Sequence, residues 1–388
     1  MAWTREQETL FLLIQKALFN KEIQIPDGID WETVFRETEA QRLSPLLYAA
    51  LPDTVPAAVR AEWETVSLTH AAHTMALLYE QGELTQLLER EKLSYVILKG
   101  CAAAVYYPEP DCRTMGDIDV LVSPADFDRS MELLSAEGFE RTENEKENSR
   151  HIAYERNDIK LELHRRFSYD TLDFEQYLLD AMPCAEQAEI DGCPFAMLPR
   201  LANGLVILTH IWDHLNSMIG LRQILDWMMY VNACMDAAFW EEEFRPVVRE
   251  LGLEKLALTL TLLGQRFFGL EQDFAVATAE DDSLCERLLQ KILEDGNFGE
   301  KRKGSVQAET VGVRIRQKGL LKYLQSAGLS HWEAAQKHAV LRPFAWGYQI
   351  LRMMKMWLPK RRSPLRLAAE LNRAKGDADL LKELGIRR

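Results

Sequence analysis

The residues able to do chemistry lie in two short stretches. Asp117-Ile118-Asp119 opens the run DIDVLV, and Glu162 and His164 close the run IKLELH. Side chains two apart on a strand leave on the same face, which sets the Asp117 and Asp119 carboxylates side by side. By the same rule Lys160, Glu162 and His164 share the face opposite Leu161 and Leu163. Two like charges this close are costly unless a cation lies between them. Hard oxygen ligands suit Mg²⁺ (or Mn²⁺), which binds one or two carboxylates together with substrate phosphates. A bare D-x-D is short and common, and solvated acids at a strand end would explain it. Pairing of the two strands changes that reading, because Glu162 then joins Asp117 and Asp119 as a third carboxylate. Upstream, Leu98-Lys99-Gly100 ends an apolar run and begins a helix, where backbone N–H groups can receive a phosphate.

The elements that position these residues follow from hydrophobic period. Residues 3–92 read as helices: Leu10, Leu12, Leu13, Ile14, Ala17 and Leu18 recur at helical spacing, and 56–91 form one long helical stretch entered near Pro56, with Leu77, Leu78, Leu84, Leu87 and Leu88 on one side. The period then shortens. Residues 94–98 read as a buried strand, 101–107 as a short helix and 117–122 as an alternating strand. A helix over 125–137 stops at Gly138. Residues 139–144, 150–156 and 159–164 are further strands, with Asn157-Asp158 as a tight turn, and 187–198 form a hairpin around Asp191-Gly192. From Pro199 the chain reads as helical, with helices near 200–217, 220–234, 237–251, 254–268 and 282–295, and an exposed loop over 300–312. The expected fold is α+β: an N-terminal helical region (1–92), a small mixed-sheet domain (93–198) and an all-helical C-terminal domain (199–388).

The order strand–Gly–helix, then Asp-Ile-Asp, then Leu-Glu-Leu resembles the polymerase-β-like nucleotidyltransferase superfamily. More narrowly it resembles the bacterial family of uncharacterised nucleotidyltransferases, which has an LKG element, an R-x-x-GDIDVLV element and an ELH element. Here these are Leu98-Lys99-Gly100, Arg113 to Val122, and Glu162-Leu163-His164. A helical segment with His210, His214, Arg222 and Asp226 is also similar, and the likeness spans roughly residues 35–235. The resemblance implies transfer of a nucleoside monophosphate from an NTP to a hydroxyl of a small molecule or protein. Asp117 and Asp119 would hold two Mg²⁺, and Glu162 would bind the second ion or take the acceptor's proton. Lys99, Gly100, Arg113 and Gly116 are the implied nucleotide-binding residues. For Lys99 and Arg113, phosphate contact and plain surface charge stand as equal readings.

His164 shares a face with Glu162 and reads as an acceptor or metal contact rather than a structural histidine. His210 and His214, four apart, share a helix face. That spacing permits a zinc pair, but no third ligand is evident, so hydrogen-bonded packing or lining of the substrate cleft is expected. Arg222 and Asp226, also four apart, are expected to form an ordinary helix ion pair. The Trp and Met residues around 212–229 read as core.

Composition limits the alternatives. The chain has 388 residues, 47% of them hydrophobic, and a formal net charge of −14. These are globular proportions, and the acidic balance disfavours a general nucleic-acid binder. Six scattered cysteines without a CxxC pair read as reduced thiols. With no signal-peptide pattern and no long apolar run, a cytoplasmic protein without a transmembrane segment is expected. Two other functions compete. One is a degenerate nucleotide-binding or regulatory module, because Cys101 stands where the wider superfamily has Ser or Gly after the glycine. The other is an RNA end-modifying enzyme. Residues 343–388 carry eleven Lys/Arg against four Asp/Glu, with Lys360-Arg361-Arg362 behind an aromatic and Met-rich stretch. That end reads as an amphipathic packing helix, and is the one place where an anionic partner such as RNA would dock.

Overall fold

The computed structural model describes residues 3–142, 150–169, 172–215, 218–272, 274, 279–302, 319–357 and 375–386. Helix α1 (Arg5–Phe19) starts at a capping box, in which Thr4 accepts from the Gln7 N–H and the Gln7 side chain accepts from the Thr4 N–H. Of its expected face Leu10, Leu13, Ile14 and Leu18 are buried, Leu12 and Ala17 are only half-buried, and Phe11 joins the core instead. Helix α2 (Trp31–Ala40) is capped by Asp30, α3 (Ser44–Tyr48) carries Pro45 in its first turn, and α4 (Ala57–Arg90) runs 34 residues from Pro56.

The sheet follows. Strands β1 (Tyr95–Leu98), β2 (Ile118–Val122), β3 (Glu140–Arg141), β4 (His151–Arg156), β5 (Ile159–His164), β6 (Glu186–Ile190) and β7 (Cys193–Met197) form one seven-stranded sheet in the order β3-β4-β5-β2-β1-β7-β6. It is mixed: β2 runs antiparallel to β1 and parallel to β5, and β7 runs parallel to β1. The β4–β5 turn places Asn157 and Asp158 at φ 52° and 61°, as a tight two-residue hairpin requires. Its outer side is tied to α4, where the buried Glu80 carboxylate accepts from Arg156 Nε at 2.7 Å and Asn157 Nδ2 at 2.6 Å. Between the strands lie α5 (Gly100–Ala104), α6 (Phe127–Ala136), which stops before Gly138 at φ 82°, and α7 (Glu175–Ala181). With helices before and after this sheet, the chain is α+β, and one apolar cluster runs through all three segments.

The β6–β7 hairpin delivers the chain to α8 (Arg200–Leu215) and α9 (Leu221–Cys234). Trp212, Trp227, Met228 and Met229 are buried, as expected of core. The Asn203 amide donates to the Ala102 carbonyl at 2.9 Å, tying α8 to α5. Gly204 lets α8 approach α9 closely, since a Cβ there would stand 2.2 Å from the Tyr230 hydroxyl, which itself donates to the Arg200 carbonyl at 2.9 Å. Gly204→Ala is therefore expected to destabilise by about 1–3 kcal/mol through overpacking. Urea denaturation read by tryptophan fluorescence checks this, and an unchanged midpoint would show that the two helices can separate freely.

Two helices expected as continuous are interrupted. The 237–251 stretch has a wide π turn at Trp240–Phe244, just before Pro246, and 254–268 ends in another at Gly264–Phe268. Each π turn slips the helix phase to keep large rings, Phe244 and Phe268, in the core. Of the expected 300–312 loop only residues 300–302 are described, as the end of the 3-10 turn Asn297–Arg302, and the rest lies outside the described residues. The Lys360-Arg361-Arg362 run also lies outside them. Among the described residues no helix is long and apolar enough to cross a membrane.

Candidate active site

Register brings the acids together. Asp119 pairs with Leu98 on one side and with Glu162 on the other, so β2 carries it between the end of β1 and the middle of β5. One oxygen from each of Asp117, Asp119 and Glu162 lies within 4.8 Å of the others. His151, Glu162 and His164 form a second such set, sharing Glu162. These residues line a cleft of about 410 Å³, walled on the far side by His210, Asp213 and His214 of α8, Arg222 of α9 and Phe298. Lys99, Gly100, Arg113 and Gly116 also line it.

Lys99 is the acids' internal counter-charge. It sits at φ 47° between β1 and α5, and its Nζ lies 2.6 Å from Asp119 Oδ1 and 3.7 Å from Glu162 Oε2. A non-glycine residue at positive φ is strained, and such strain concentrates at functional sites. Burial works against the ammonium, but Asp119, Glu162 and Asp117 outweigh it and hold Lys99 protonated. His164 is nearly enclosed. Its Nε2 lies 2.9 Å from Asp119 Oδ1 and 3.3 Å from Glu162 Oε2, and those contacts raise its pKa against the opposing effect of burial. Glu162 is held well below the usual carboxylate range despite burial, by His164, Lys99 and His151. Asp117 goes the other way, to about 6, pushed up by burial and then by the neighbouring Asp119 charge.

This donor set fits a hard divalent cation. Three carboxylates converge on a spot where the chain itself already places a cation, Lys99, and the Asp117 charge is disfavoured there until more positive charge arrives. The His151–Glu162–His164 set mixes imidazole nitrogen with oxygen, a combination that suits Mn²⁺ or Zn²⁺ better than Mg²⁺.

Two expectations need correction or refinement. Arg222 and Asp226 do not pair. Asp226 is taken by Arg113, whose Nε and Nη2 reach its two oxygens at 2.9 and 2.6 Å, and by the Tyr107 hydroxyl at 2.8 Å. A buried carboxylate facing a planar guanidinium forms the bidentate contact, which a neighbour one helical turn away cannot match. Arg113 thus enters the site neutralised, with Nη1 on the Thr114 carbonyl at 3.2 Å, and clamps α9 to the sheet domain. Cys101 is buried with its Sγ 3.3 Å from Met115 Sδ, and burial pushes its thiol up to about 12, so it presents no reactive group.

His210 and His214 line the cleft with ring centroids 4.4 Å apart, and burial first of all lowers both pKa values, His214 to about 4, so both are neutral. Residues the sequence did not single out also face the cleft: Arg150, stacked on Tyr169 at 4.0 Å, and also His151, Phe167, Asp213 and Phe298. One of them had a signal. Counting back from the Asn157-Asp158 turn sets His151 opposite His164, which is the observed register.

A mixed sheet that gathers three carboxylates beside a strand–glycine–helix turn, roofed by helices, is the build of a nucleotidyltransferase. The model of a family described as Uncharacterised nucleotidyltransferase matches residues 27–269, and the chain belongs to that family. Comparison with curated proteins gives no match.

Proposed function

We propose that the protein transfers a nucleoside monophosphate from an NTP to a hydroxyl of a small-molecule or protein acceptor, with Mg²⁺ or Mn²⁺ held by Asp117, Asp119 and Glu162. The observation that carries this is the convergence of those three carboxylates at the floor of one cleft, beside Lys99 and Gly100. When bound, the divalent ion supplies charge neutralisation for the phosphates and for the oxygens that attack and leave. The chain's own residues do the rest. Lys99 moves its ammonium from Asp119 toward phosphate oxygen, and the backbone at Gly100 and Gly116 lets the phosphates approach closely. Glu162, kept ionised by His164 and Lys99, would bind the second ion or take the acceptor's proton. His164 orients Asp119 and Glu162 from behind, and the neutral His210 and His214 offer hydrogen bonds to the acceptor.

Calorimetry with ATP, CTP, GTP and UTP in the presence of Mg²⁺ tests the binding half of this reading. At least one is expected to bind, and binding by none sinks it. A second reading, a nucleotide binder without turnover, draws on Cys101, which leaves the α5 turn with no hydroxyl facing the cleft. Transfer of label from an α-³²P-labelled NTP to a cell-extract fraction separates the two.

A further inference from the structure

The cleft holds two neighbouring guanidinium groups, and they are treated differently. Arg113 is neutralised by Asp226. Arg222 is not: its Nη1 donates to the Thr114 carbonyl at 2.6 Å, its Nε is buried without a partner, and among the described residues no carboxylate lies within 4 Å of it. Burial and the nearby Arg113 charge both work against its cation, bringing it down to about 10, yet it stays charged at neutral pH. A half-buried guanidinium with no carboxylate in contact is one that an arriving anion would stabilise. The space before it is cleft, not protein. Gly116 adds no side chain there and a Cβ on it would meet nothing within 4 Å, while Phe298 lies 5.8 Å from the guanidinium and gives it no charge. Asp117 and the other acids line the same cavity.

We infer that Arg222 is the seat for the polyphosphate tail of the nucleotide, gripping oxygens beyond the α-phosphate while the α-phosphate lies at the carboxylates. A planar guanidinium matches phosphate oxygens, and Nη2 is the terminal donor not already given to Thr114, while Nε stays buried behind it. This rests on the nucleotidyl-transfer reading and assigns within it the part of the substrate that Arg222 recognises. The helix pairing expected from sequence would have cancelled this charge, and its capture of Thr114 instead leaves it available.

The test is calorimetry on the full chain with Mg²⁺, using the NTP that binds wild type and its monophosphate, for wild type, Arg222→Gln and Arg222→Lys. Arg222→Gln is expected to weaken the NTP by about 10- to 100-fold, the scale of charge-assisted hydrogen bonds, and to leave the monophosphate unchanged. Arg222→Lys should recover part of the loss as a point charge. Equal NTP affinity in Arg222→Gln overturns the proposal, and so does an equal loss for both nucleotides, which would mark a merely structural residue. Inorganic tripolyphosphate is the second probe. It should raise the unfolding temperature of wild type and do so less in Arg222→Lys; no rise in wild type overturns the proposal even if Arg222→Gln fails to fold. If no nucleotide binds wild type but tripolyphosphate does, and the variants lose it, nucleotidyl transfer falls and the anion seat stands.

Discussion

Asp119→Asn is expected to cut nucleotidyl transfer by about a thousandfold or more, the equivalent of roughly 4 kcal/mol at the transition state, while the protein stays folded. Asp119 is the acid that the sheet positions most firmly, paired in register on both sides and only 3% exposed. Asparagine keeps its shape and can still accept from Lys99 and His164, so the packing around β2 survives. It removes the negative charge, and with it the strongest claim on a divalent ion. Label transfer from an α-³²P-labelled NTP reads the first effect, and electron paramagnetic resonance of added Mn²⁺ reads the second as weaker binding. Thermal unfolding close to that of wild type shows that the loss is not misfolding. A variant within about tenfold of wild type, far short of what losing a metal ligand costs, would remove Asp119 from the catalytic set.

The second large effect is on stability. Asp226→Ala is expected to cost about 3–5 kcal/mol, because it strands Arg113 inside the protein without a counter-charge. The pair is nearly enclosed, at 5% exposure for the arginine and 3% for the aspartate. The same deletion leaves the Tyr107 hydroxyl without its acceptor. Arg113→Met combined with Asp226→Leu should recover much of the loss, since the buried charges leave together. Urea denaturation of the single and double variants measures both numbers. A single variant within about 1 kcal/mol of wild type would mean that water already reaches this pair.

The sequence pattern carried much of the strand inventory and little of its partnering. The D-x-D and L-E-L-H stretches alternate as strands do, and Asn157-Asp158 marks a hairpin whose arithmetic even gives the His151–His164 register. Local spacing also placed the faces of α1 and α4. It failed where an interaction is settled across the fold. Arg222 and Asp226 sit one turn apart, which makes them neighbours on any isolated helix, yet Arg113, 113 residues away in sequence, offers a better-shaped and drier partner. Nothing local signals that. The parallel seating of β7 on β1, which swings α8 and α9 over the acids, is equally invisible to periodicity. The π turns escaped notice because a single extra residue per turn leaves the composition of a helix unchanged.

The tight contact at Gly204 has a mechanical consequence for recognition. With the α8 backbone resting on the Tyr230 ring, and Tyr230 anchored back on Arg200, the two helices behave as one stiff plate. His210 and His214 stand on one leaf of it and Arg222 on the other. Their mutual spacing is then a built-in gauge that a substrate must match. The plate is fastened to the sheet side by Asn203 on Ala102, Arg113 on Asp226 and Arg222 on Thr114, so the imidazoles and the guanidinium are held to one frame.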